Sequence, residues 1–250
     1  MEIWIFDRTR EALARLTFEE HAMCPVWSPS GDTLYYSGGA ESTGRDIWRR
    51  AADGSGAPER VLERPGDQME IAIPSSGGVA LFHEFGSSPG LYALPLSPAG
   101  APRPWVVSSL GDRAVSLSPD ARWAVYTSDE SGQAEVYVRA FPEPAGRVQV
   151  SSGGGTEPRW SSDGRTIYFR RADTLFATAV RTEPTFSVGQ QRMVFTADFR
   201  PYSYSLHTNY DRDRRTGEFV VFTSRNDGDA SLVVVLNWFD EVRERMGRGP

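Results

Sequence analysis

The chain has 250 residues and a net charge of −6, with scattered arginines, which excludes a basic surface that tracks nucleic-acid phosphates. Hydrophobic residues make up 39% and aromatic residues 12%, enough for a packed core, so extended disorder is excluded as well. A single cysteine, Cys24, excludes an internal disulfide and any cysteine-rich zinc site; its place before Pro25, in an expected inner strand, points to buried packing.

In chain order, Met1 to Asp7 opens as a strand that resembles Asp46-Ile47-Trp48, and Ala14-Arg15-Leu16-Thr17 resembles the last strand of a later unit. A signature then recurs: Val26-Trp27-Ser28-Pro29-Ser30-Gly31, Ile73-Pro74-Ser75-Ser76-Gly77-Gly78, Leu117-Ser118-Pro119-Asp120-Ala121-Arg122, Arg159-Trp160-Ser161-Ser162-Asp163-Gly164 and an eroded Tyr210-Asp211-Arg212-Asp213. Taking Trp27, Ile73, Leu117, Trp160 and Tyr210 as equivalent, the steps are 46, 44, 43 and 50 residues, the length of one four-stranded propeller blade. Each signature is followed by β-forming runs in a fixed order, such as Thr33 to Ser37, Asp46 to Trp48 and Arg60 to Leu62 in the first unit.

The pattern predicts an all-β propeller, one domain of about five four-stranded blades over residues 22–62, 69–108, 113–151, 156–196 and 203–237. Residues 1–17 either close the ring against the last blade or belong to a preceding blade, in which case the chain is part of a ring of six or more. With 24 Gly and 17 Pro there is no long helical period; only Asn237 to Arg245, with its N-cap asparagine and early acids, reads as a short closing helix.

The signature is read as a hairpin device: Pro presets φ, Asp bonds local backbone and Gly accepts positive φ. The tryptophan before it is expected to pack between adjacent blades. Neither a secretory n-region nor an apolar run of roughly 18 residues is present, so a soluble chain without membrane insertion is expected, cytoplasmic as given and extracytoplasmic if joined to a membrane-anchored parent.

These blades resemble the TolB-type, WD-repeat-like β-propeller, whose units carry a large apolar residue, Ser-Pro-Asp-Gly, a strand and then an Asp-Ile-Trp or Glu-Val-Tyr strand, matched here by Trp27 to Gly31 with Asp46-Ile47-Trp48 and by Leu117 to Asp120 with Glu135-Val136-Tyr137. The segments Glu135 to Pro142, Gln149 to Trp160 and Val235 to Val242 are similar to propellers C-terminal to bacterial serine/threonine protein kinases. That resemblance implies a sensing or docking role. The kinase motifs themselves are missing: there is no Gly-rich phosphate loop with a Lys-bearing strand, no His-Arg-Asp and no Asp-Phe-Gly.

Other candidate motifs read as structure. Gly86-Ser87-Ser88-Pro89-Gly90 fits the nucleophile elbow, yet Pro89 has no N–H for an oxyanion and the motif joins two strands, so a hairpin loop is expected. His21, His83 and His207 share no ligand spacing, and Asn226-Asp227-Gly228-Asp229 lacks the rest of a calcium loop, so no metal or cofactor is expected. Asp7, Asp46 and Glu135 are read as turn-capping acids; Trp48, Tyr92, Tyr137 and Phe176 as core; Arg200 and the cluster Asp211 to Arg215 as exposed turn. The expected function is a non-catalytic interaction or sensor domain for a protein or peptide, with binding residues unassigned and no catalytic residue. The alternative is an enzyme-associated propeller that gates a peptidase or carries a hydrolase or lactonase site in its channel.

Overall fold

The signature turns close as hairpins because serine and aspartate satisfy them from within. Ser28, Ser118 and Ser161 donate their N–H to the carbonyls of Thr33, Trp123 and Thr166, each at 2.8 Å. The three hydroxyls then accept the N–H of those same residues at 3.1, 3.0 and 2.9 Å. Asp120 and Asp163 accept from the serine hydroxyl at 2.6 Å and from the N–H of Arg122 or Arg165. Asp32, placed differently, gathers the hydroxyls of Ser28, Ser30 and Thr33. These bonds, led by Ser30 for Asp32 and Ser161 for Asp163, hold both carboxyls below their ordinary range.

Gly31, Gly77 and Gly164 occupy the left-handed position of the turn at φ 77°, 71° and 69°, and Ala121 occupies it at φ 54°. A Cβ there crowds the following carbonyl. Ala121→Gly is therefore expected to stabilise the fold by about 0.5–1 kcal/mol, read as a higher urea midpoint; an unchanged or lower midpoint would refute the strain.

The computed structural model describes residues 1–7, 10–18, 21–39, 44–86, 88–108, 111–199, 208–213 and 216–223. Among them every regular element is a strand. A two-stranded sheet, β1 (Trp4–Asp7) and β2 (Ala12–Arg15), comes first. Four four-stranded antiparallel sheets follow, each in simple meander order: β3 (Met23–Trp27), β4 (Thr33–Gly38), β5 (Asp46–Ala51) and β6 (Glu59–Leu62); β7 (Asp67–Ala72), β8 (Val79–Phe85), β9 (Gly90–Pro95) and β10 (Arg103–Val107); β11 (Arg113–Leu117), β12 (Trp123–Ser128), β13 (Glu135–Ala140) and β14 (Val148–Gln149); β15 (Thr156–Trp160), β16 (Thr166–Arg171), β17 (Thr174–Arg181) and β18 (Ser187–Thr196). A last pair, β19 (Tyr210–Arg212) and β20 (Phe219–Val221), begins a further unit. The helix expected at 237–245 and the closing of the ring against residues 203–237 fall wholly or partly outside the described residues.

The apolar cores lie between sheets rather than within them, as stacked blades require. Tyr35, Ile47 and Leu62 meet Ile71, Phe82 and Leu94 of the next sheet. Leu81, Leu91 and Trp105 meet Val115, Tyr126 and Tyr137. Val125, Val136 and Val138 meet Ile167, Phe169 and Val180, and Leu175 and Phe195 meet Tyr210, Phe219 and Val221. Each fully buried Leu, Ile or Phe contributes about 1.5–3 kcal/mol, so every sheet is stabilised chiefly by its neighbours. The β1–β2 pair packs in the same way, placing Ile3 and Leu16 against Leu34 and Tyr36.

Two expectations change. Trp160 is half-buried against Phe186 and the preceding sheet, as anticipated, but Trp27 is 48% exposed. Ile73, Leu117 and Trp160 all pack on the sheet before their own; before Trp27 stands only the two-stranded β1–β2 pair, so the indole lacks that cover among the described residues. In the last repeat the register moves by two. Asp213 N–H donates to the Glu218 carbonyl at 2.8 Å, as Ser161 does to Thr166, so Arg212 and not Tyr210 holds the tryptophan position. Asp211 and Arg212 thus lie in strand β19 rather than in an exposed turn, because pairing with Val220 and Phe219 extends the sheet through them.

Candidate functional site at the channel mouth

The strand that opens each sheet, β3, β7, β11, β15 and β19, ends at its signature turn, and these ends converge. A cavity of about 260 Å³ is lined by Trp27, Ile73, Leu117, Trp160 and Arg212 together with Ser28, Ser75, Ser118 and Ser161 of the following turns. All five repeats contribute. Ser75 ties neighbouring turns together by donating its hydroxyl to the Pro119 carbonyl at 2.8 Å. Arg159, Ser116, Ser162 and Asp211 complete the polar lining.

Deeper along these strands a second recurring feature shapes the channel. Cys24, Glu70, Ala114 and Glu157, three residues before Trp27, Ile73, Leu117 and Trp160, all have left-handed backbone, at φ 54°, 52°, 55° and 54°. At the same point each strand slips register against its neighbour, between Met23 and Val26, Met69 and Ala72, Arg113 and Ser116, and Thr156 and Arg159. This is a β-bulge built four times, turning the inner strand locally. Three of its side chains reach the equivalent residue of the next repeat. The Cys24 sulfur meets the Glu70 N–H, Glu70 Oε2 accepts the Ala114 N–H at 2.9 Å, and Glu157 Oε2 accepts the Asn209 N–H at 2.8 Å.

The charges of this layer are unequal. Glu70 is only partly buried as a residue, yet burial of its carboxyl pushes that group up to about 8, against the pull of the Ala114 N–H, Arg159 and Arg113. It is therefore largely uncharged at neutral pH. Glu157 is fully enclosed: burial raises its carboxyl, while Arg170 at 3.2 Å and two bonds from Asn209 draw it back. Arg170 is itself 2% exposed, donates to the Ala172 carbonyl at 3.2 Å and lies 4.5 Å from the Phe199 ring centre. The guanidinium of Arg159 has no hydrogen bond or ion pair among the described residues, and its Nε is buried without a partner.

The remaining sequence candidates fall into structural positions. Cys24 is buried beside Met23 and Met69, and burial raises its thiol far above the ordinary range. His83 is buried against Phe85, and burial lowers its imidazole to about 3. His21 lies in a turn before β3, and His207 and Asn226 to Asp229 are outside the described residues. Gly86 to Gly90 joins β8 to β9, with the Ser88 carbonyl accepting from Tyr92 Oη at 2.9 Å. Asp46 accepts the Arg64 N–H at 3.2 Å; Glu135 accepts the Gly154 N–H at 2.8 Å and the Ser151 hydroxyl. Asp7 caps the Arg10 N–H at 3.1 Å, although it ends β1 where the other two begin their strands.

Trp48, Tyr92, Tyr137 and Phe176 stand opposite Tyr36, Phe82, Tyr126 and Phe169 across their strand pairs. Each also carries an arginine on its ring, from Arg60, Arg64, Arg147 and Arg171 at 4.6–5.6 Å, a cation layer that the residue pattern did not disclose. Also missed were Glu70, Glu157, Arg159 and Arg212; the only sequence signal for them is their fixed offset from the signature.

A meander of four-stranded sheets with cores between them and opening strands that converge on one cavity defines a β-propeller. It is similar to propellers of the TolB type. No family model and no curated protein matches the chain. Among solved structures, TolB from Acinetobacter baumannii is similar at a TM-score of 0.70 and 16% identity, covering 90% of this chain and 54% of that one. A structure assigned as TolB from Agrobacterium tumefaciens is similar at 0.62 and 14% identity, over 74% and 70% of the two chains. An oligogalacturonate lyase in complex with manganese is similar at 0.61 and 12% identity, over 91% and 66%. The chain thus spans about half the length of the Acinetobacter protein. At these identities the likeness establishes the fold.

Proposed function

We propose that this chain is a non-catalytic propeller that binds a protein or peptide partner at the channel mouth, as the sensing or docking part of a larger bacterial signalling protein such as a serine/threonine kinase. The observation that carries the reading is the cavity to which all five repeats contribute, rimmed by the 48%-exposed indole of Trp27. An exposed aromatic beside unpaired donors is the composition of a recognition surface. Support also comes from the recurring acids, whose contacts are those of turn caps. The kinase context rests on the sequence resemblance of Glu135 to Pro142 and Gln149 to Trp160.

The test is capture with the intact chain as bait, comparing the wild type with Trp27→Glu, a change at an exposed rim. A partner recovered by the first and lost by the second is the expected result; identical recoveries would refute the assignment to this mouth. A channel-site enzyme is the second reading, favoured by the elevated carboxyl of Glu70 on β7, since perturbed acids cluster at active sites. Turnover of an ester, lactone or peptide substrate that is lost in Glu70→Gln would replace the first reading with it.

A further inference from the structure

The interaction reading leaves the chemistry of the partner open, and the lining of the mouth narrows it. Two cations, Arg159 and Arg212, line the cavity against one acid, Asp211. The Nε atoms of both arginines are buried without partners among the described residues, as is Nε1 of Trp160. Arg212 lies beside the contacting pair of Tyr168 and Phe219, 5.7 and 5.8 Å from their ring centres, and its guanidinium makes no hydrogen bond or ion pair among the described residues. Asp211 spends one carboxylate oxygen on the Arg212 backbone N–H at 2.8 Å. The acids of the signature turns, Asp32, Asp120 and Asp163, are bound into those turns and do not line the cavity. Of the carboxyls near Arg159, Glu157 is paired with Arg170 and burial leaves Glu70 largely protonated.

With no acceptor for either guanidinium among the described residues, the arginines that line the cavity keep terminal amino groups to offer, and a carboxylate is the acceptor whose geometry fits that fork. We propose that the mouth binds a carboxylate of an acidic peptide segment, held by Arg159 and Arg212, with the hydroxyls of Ser116 and Ser162 in the same lining. A cavity of about 260 Å³ accepts one such side chain, while the exposed face of Trp27 offers apolar surface to the flanking peptide, which favours a peptide over a small free acid. The inference rests on the interaction reading above and adds the charge of the partner to it.

The experiment measures binding of fluorescein-labelled pentaglutamate and pentaglutamine to the full chain by anisotropy at low and high salt, with free glutarate as competitor. Pentaglutamate is expected to bind saturably and to weaken as salt rises, pentaglutamine to bind at least about tenfold more weakly, and Arg159→Gln and Arg212→Gln each to lose about tenfold. Should either glutamine variant fold poorly, Ser162→Glu places a negative charge at an exposed lip position and is expected to abolish pentaglutamate binding while melting like the wild type. Competition by glutarate at a concentration comparable to the peptide assigns the carboxylate to a small acid, and a far higher requirement assigns it to a peptide; both keep the site. Equal binding of pentaglutamine, no saturable binding of pentaglutamate, or undiminished binding by the folded variants would overturn the proposal. The first of these would leave the interaction reading standing with a neutral ligand.

Discussion

Replacing Arg170 with methionine is expected to cost about 3–5 kcal/mol of folding stability, because it removes one partner of an enclosed ion pair and leaves the other without compensation. Glu157 is 1% exposed and Arg170 2% exposed, so water does not reach the carboxylate that remains. The pair also joins two repeats. Glu157 is held by Asn209 through both N–H and side-chain amide, and its own carbonyl accepts Tyr210 Oη at 2.7 Å. Loss of Arg170 therefore loosens the seam between the fourth sheet and the β19–β20 pair as well as the sheet that carries it.

Adding Glu157→Gln to Arg170→Met removes the stranded charge while keeping an amide oxygen for Asn209, and is expected to recover part of the loss. The sign of the pH response follows. Without Arg170 the Glu157 carboxyl rises further above its unfolded value, so the folded state binds the extra proton, and the single variant regains stability as pH falls through that raised value. Urea unfolding of the wild type and the two variants across pH decides the matter. A single variant within about 1 kcal/mol of wild type would show that the pair is dispensable.

What the sequence disclosed and what it hid divide along the range of the interactions. The hairpins were legible because Ser118, Asp120 and Trp123 settle their turn within six residues, using groups whose chemistry is fixed by type. The blade period was legible for the same reason. The left-handed bulges were not, because Cys24, Glu70, Ala114 and Glu157 share no residue type; what unites them is a backbone conformation at the register slip of each inner strand. Arg212 was hidden differently. The mixed charges from Asp211 to Arg215 read as solvated turn, and only pairing with Phe219 draws that arginine into the strand that lines the mouth. Trp27 matches Trp160 by sequence and differs in burial, since its cover belongs to the sheet before it and not to its own signature.

Within Gly86 to Gly90, the last glycine rather than the serine at its centre is expected to be indispensable. Gly90 has φ 150°, and a Cβ there would stand 2.7 Å from the Val106 carbonyl oxygen and 2.8 Å from Val107 Cα, both backbone of β10. No side-chain rotation relieves that contact, so the strand pairing of Gly90 with Val107 must open. Gly90→Ala is expected to lose about 2–4 kcal/mol from the combined backbone strain and overpacking. Ser88 is exposed, and its carbonyl rather than its hydroxyl holds Tyr92. Ser88→Ala should accordingly stay within about 0.5 kcal/mol of wild type. Thermal melts of both variants separate a turn, which needs the glycine, from a nucleophile elbow, which needs the serine: a Gly90→Ala chain that melts with the wild type would mean that the close approach of β9 to β10 does not govern this motif.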